Sequence, residues 1–74
     1  MVRYKMAQQA NYWFDKGMRN KQRAAIVCYK QALTYDLEHY PTLYNLAVHY
    51  EGVGWLSSAK KWLLRLIEVN PDIP

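Results

Sequence analysis

Residues 25–37, AIVCYKQALTYDL, and residues 59–71, AKKWLLRLIEVNP, open on alanines that stand 34 positions apart, and both place apolar or small side chains at the same offsets. Counted from each alanine, Tyr29, Ala32 and Leu33 at +4, +7 and +8 are answered by Leu63, Leu66 and Ile67. These offsets return to one face of an α-helix, and a period of this length marks a repeat architecture. The chain reads as one two-helix unit written twice. Such a unit cannot bury its apolar face alone, so its chemistry is to stack and to present a surface, not to enclose a substrate.

Outward from these segments, the spacing predicts four helices. From about Tyr4 to Lys16 there is neither proline nor glycine, and Met6, Ala10, Trp13 and Phe14 step by three and four. That is the pattern of an amphipathic helix. Gly17 is expected to end it in a left-handed cap, with MRNKQR as the following turn. A second helix runs from about Lys21 to Tyr35 on Ala25, Ile26, Tyr29, Ala32 and Leu33. Pro41, whose missing N–H has no partner in a first turn, opens a third helix to about Glu51 with Leu43, Leu46, Ala47 and Tyr50 inward. Gly52 and Gly54 break it. The fourth runs from about Trp55 to Val69, with Ser57 and Ser58 expected to satisfy free N–H groups in its first turn and Asn70 and Pro71 ending it. No window alternates with a period of two, so no strand is expected.

With 74 residues there is room for one domain, and a chain of this size buries only about 60% of the surface its unfolded form exposes. Hydrophobic residues make up 51% and aromatics 15%, more apolar area than two hairpins hide, so part of it should meet a partner. The net charge of +4 is uneven: residues 1–37 hold seven basic and two acidic groups, residues 38–74 three and four. Lys16, Arg19, Lys21 and Arg23 form the densest basic cluster. A single cysteine, Cys28, makes no internal disulfide, which fits a reducing, intracellular, cytoplasmic setting. No apolar run reaches the roughly 18 residues of a membrane span, and the first residues lack the apolar stretch of a signal peptide.

Across Tyr40 to Ile73, the residues Leu43, Leu46, Ala47, Tyr50, Gly54, Ala59, Leu63, Leu66 and Pro71 fall in an order that resembles the tetratricopeptide repeat. Leu66 departs from it, standing where a small residue is usual. The first unit, Arg3 to His39, resembles the family through Ala10, Trp13, Gly17, Ala25, Tyr29 and Ala32, provided that three extra residues enter the turn between Gly17 and Ala25. Sel1-like repeats, which have longer turns, are the nearest alternative, and Pro71 after Asn70 favours the tetratricopeptide type. The resemblance implies an all-α fold in one domain, residues 1–74: two antiparallel helix-turn-helix repeats, about 3–39 and 40–73, stacked as a short right-handed solenoid.

It also implies a protein-protein interaction module whose first helices line a concave groove for a peptide or helix. On the pattern, groove positions are Tyr4, Ala7, Gln8, Asn11, Phe14 and Asp15, then Tyr44, Asn45, Val48 and Glu51. Asn11 and Asn45 are similar in position to the asparagines that clamp a C-terminal carboxylate in part of the family. Ala7 occupies one lysine position of that clamp, however, and the third repeat with the remaining cations is absent. On the last helix, Trp62, Leu63, Leu66 and Ile67 cover more than one face, and no polar capping helix follows. They are expected to meet another repeat or subunit.

The other chemistries are weaker. His39 and His49 have no second ligand at helical spacing, so no metal is expected. Cys28 has no His and carboxylate arranged around it, and Asp15 and Glu51 have no pocket to desolvate them. The reading is therefore of a non-enzyme without cofactor or membrane contact. A self-associating assembly domain without a groove is the second reading. Nucleic-acid binding through the basic loop at 16–23 is the third, and it suffers because Ile26, Tyr29 and Leu33 already commit the following helix to packing.

Overall fold

The computed structural model describes residues 2–72, with side chains from Lys5 onward. The described residues form four helices and no strand: α1 Val2–Met18, α2 Gln22–Tyr35, α3 Tyr40–Gly52 and α4 Leu56–Val69. Each helix packs on the next in the chain, α1 on α2, α2 on α3 and α3 on α4. The fold is all-α and compact, with a radius of gyration of 12.0 Å.

The period of 34 reappears in the helix ends. α1 and α3 stop at Met18 and Gly52, α2 and α4 start at Gln22 and Leu56, and they stop at Tyr35 and Val69. The α1–α2 and α3–α4 connections, 19–21 and 53–55, are each three residues long. The expected extra residues are therefore not in the turn: the first unit's additional length lies in α1, with 17 residues against 13 in α3.

This redefines the two glycines. Gly54, at φ 84, ends α3 as expected. Its N–H donates to the Glu51 carbonyl at 3.0 Å, the Trp55 N–H donates to the Tyr50 carbonyl at 2.9 Å, and the Trp55 ring stacks on Tyr50 at 5.7 Å. These are the two backbone bonds and the apolar contact of a Schellman closure. Gly17 is not a left-handed cap. It lies inside α1 and is buried there, and a Cβ on it would meet Cε1 and Cδ1 of Tyr29 at 2.5 and 2.7 Å. Its absent side chain is the seat of a ring.

Ser57 and Ser58 lie in the first turn of α4 as expected, but no cap bond from them is seen. The N-cap position of α4 is Trp55, and no side chain caps the helix. The Schellman closure brings Trp55 to that position, one residue before the helix.

The core is Ala25, Ile26, Tyr29 and Leu33 of α2, Leu43, Leu46 and Tyr50 of α3, and Ala59 and Leu66 of α4. Helix α2 contributes six buried residues, α4 only Ala59 and Leu66. One side of the last helix is thus left in solvent.

Candidate functional site

Tyr29 rises from α2 between α1 and α3, and its ring is 1% exposed. Phe14 of α1 lies 5.8 Å from it and His49 of α3 lies 5.3 Å away, centroid to centroid. The Asn45 amide donates to the Tyr29 hydroxyl at 3.4 Å, and His49 Nδ1 meets the Asn45 carbonyl at 2.9 Å. Burial pushes the Tyr29 phenol above its ordinary 10.0, and the Asn45 bond pulls the other way. At neutral pH the group is an uncharged hydroxyl at the floor between two helices.

A second brace stands at the start of α3. His39 Nε2 lies 2.9 Å from the Asn11 side-chain oxygen, and His39 Nδ1 lies 2.6 Å from the Thr42 hydroxyl. An amide oxygen only accepts, so Nε2 carries the proton, and Nδ1 accepts from Thr42. Thr42 is fully buried, and this bond satisfies it. Burial holds His39 below its ordinary 6.5, with Asp36 opposing. Phe14 adds a ring contact to His39 at 5.5 Å.

Together these contacts orient α1 and α3. Asn11 and Phe14 touch His39, the residue before α3, while residues 20–22 line a cleft of about 400 Å³ with Val48, His49, Gly52 and Val53. The middle of α1 thus meets the residue before α3, and the residues that follow α1 meet the far end of α3, with α2 packed against both helices.

On this pair of helices, Gln8, Asn11 and Asp15 are exposed along α1, and Tyr44, Val48 and Glu51 are exposed along α3 at steps of four and three. Tyr4 lies outside the described side chains. Asn45 is half-buried and Asn11 is engaged by His39, so both asparagines brace the helices. Phe14 is likewise packed against the core. His39, Thr42 and His49 were missing from the expected groove. Asn11 and His39 are 28 residues apart, and no helical periodicity links them.

The four residues expected to form an association face do not share one exposed surface. Leu66 is 4% exposed and belongs to the core, and Trp62 is half-buried against it under the Lys61 ammonium. Seven residues after the small, buried Ala59, Leu66 returns to the inward side of α4. Leu63 and Ile67 are exposed as expected, and Leu56 and Leu64 join them. Leu56 was legible in principle, because it precedes Leu63 by seven.

The basic stretch is partly engaged. Lys16 lies over Trp13 at 5.0 Å, and Arg23 lies over Trp55 at 5.4 Å. Such contacts are worth about 0.5–1 kcal/mol at exposed sites. Cys28 is buried as a free thiol. Among the described residues, no group of three or more His, Cys, Asp or Glu is placed to hold a metal ion, and no helix is long and apolar enough to cross a membrane. No family model matches the chain, and no curated protein or solved structure matches it.

Proposed function

We propose that the chain is a protein-docking module of tetratricopeptide type, its two hairpins stacked as a short right-handed solenoid and its ligand an extended or helical peptide held along α1 and α3. The observation that carries this reading is the double brace through Tyr29 and His39, which ties α1 to α3 while leaving Gln8, Asp15, Tyr44, Val48 and Glu51 at the surface. Binding on a pre-braced face loses less freedom than binding on a mobile one. Asp15 and Glu51 supply negative charge there, suited to Lys or Arg on the ligand. The chemistry is non-covalent, and the free Cys28 is at home in a reducing intracellular setting.

Asn45 is a poor probe of this groove because its loss also strips the Tyr29 hydroxyl of a donor. Tyr44, exposed and aromatic, is the better one. A peptide selected from a combinatorial library on the immobilised chain should lose about tenfold in affinity, ~1.4 kcal/mol, on Tyr44→Ala, with the thermal melt unchanged. In amide NMR its shifts should concentrate on α1 and α3. Selected peptides that ignore both Tyr44→Ala and Val48→Asp would refute the groove. A second reading, self-association, is favoured by the solvent-facing side of α4.

A further inference from the structure

Ala59 and Leu66 turn inward from α4. Beside them, Leu56, Leu63, Leu64 and Ile67 are exposed by 67%, 43%, 54% and 52%. Leu56, Lys60, Leu63 and Ile67 step by four, three and four, the spacing of a helix-helix seam. Contiguous apolar surface of this kind marks a contact site. Charge is distributed along it in a particular way. Lys60 stands four residues before Leu64 and Glu68 four residues after it, and both border the same shallow trough as Ser57, Lys61, Leu64 and Ile67. Lys61 holds its ammonium 5.2 Å over the Trp62 ring, and Arg65 pairs with Glu68 at 3.9 Å from the flank.

A surface that carries a cation and an anion at equal distances from its centre is complementary to itself. We propose that the part of this stripe around Leu64, formed by Lys60, Leu63, Leu64, Ile67 and Glu68, is the contact between two copies of the chain, joined through α4 in antiparallel fashion about Leu64, an inference that rests on reading α4 as an association face. Leu56 lies outside the overlap because its level on the second copy falls past Val69. The signs select the direction. Antiparallel pairing sets Lys60 level with the second copy's Glu68, and two-fold symmetry repeats the pair. Parallel pairing sets lysine against lysine and glutamate against glutamate. The helix dipoles also oppose each other favourably in the antiparallel arrangement. The aliphatic stem of Lys60 extends the apolar seam while its ammonium reaches the rim. A contact made by one helix from each copy lies at the small end of protein interfaces, so the dimer is expected to be weak.

Sedimentation equilibrium of the whole chain, carried from low micromolar to millimolar concentration, tests this. The mass should rise from 8.8 kDa towards that of a dimer. Lys60→Glu and Glu68→Lys, each alone, should weaken association about tenfold, equivalent to about 1.4 kcal/mol. The double exchange K60E/E68K should restore it, and Leu64→Asp should leave a monomer. All three positions are exposed, and a far-UV melt checks that the fold is retained. A monomer mass at every concentration overturns the proposal, as does a double exchange that fails to restore association. Tyr44→Ala, on α3, leaves the dimer intact, so failure of the groove and failure of the dimer give different results.

Discussion

Gly17 and Tyr29 are a matched pair of side chains, one absent and one large. The ring cannot move aside, because Phe14 and His49 flank it and Asn45 holds its hydroxyl. Glycine to alanine in a helix interior ordinarily gains up to about 1 kcal/mol. At Gly17 the sign reverses: Gly17→Ala should destabilise by about 1–3 kcal/mol, as overpacking of a filled core does. Gly52 is the internal control, since nothing lies within 4 Å of a Cβ placed there and its φ is not positive. Gly52→Ala should leave stability unchanged or raise it slightly. Urea titration of the two variants with a common m-value checks both, and equal effects would remove the steric account.

Among the elements, the ends carry the information. Helices α2, α3 and α4 each begin without a side-chain cap, so their definition comes from the turns before them. The Asn20 amide closes α1 on the Lys16 carbonyl at 2.7 Å, and the Glu38 N–H donates to Asp36 Oδ1 at 3.0 Å in the link to α3. Helix α2 opens on Gln22 at φ 46. A residue with a Cβ in that region costs about 1–2 kcal/mol. Glycine removes the clash but gives back part of the gain through the entropy of the unfolded chain. Gln22→Gly should therefore stabilise by about 0.5–1 kcal/mol, raising Tm by roughly 2–8 °C. Gln22→Val should lower it, because a β-branched residue tolerates that region poorly. Differential scanning calorimetry of both variants decides the matter.

For the whole molecule, His39 ties the first hairpin to the second. In the folded chain it is neutral, donating to Asn11 and accepting from Thr42, and burial holds it below 6.5 while Asp36 works the other way. The unfolded chain, with His39 near 6.5, binds the proton more readily. Stability from this group is thus complete above about pH 6.5 and declines as the pH falls from there through the lower folded value. His39→Gln should flatten that part of the stability profile, and an unchanged slope would mean that another group carries it. His39→Ala should cost about 1–3 kcal/mol at pH 7, because Thr42 is then buried without its partner.

The class of fold was legible from local periodicity. Four amphipathic stretches, the recurrence of α2 and α4 at 34 and the glycine closure at Gly54 all follow from side-chain spacing and backbone freedom within a few residues, whereas the end of α1 and the short turn after it do not. Most groove candidates on α1 and α3 could be placed on their helices in the same way. Four things belonged to the tertiary structure alone: the burial of Leu66, the half-burial of Trp62, the seating of Tyr29 on Gly17, and the brace from Asn11 to His39. Each depends on how one helix is rotated against a neighbour far away in the chain. Periodicity states that a helix has an apolar face, and where that face is wider than its contact, only packing chooses which of its residues go inside.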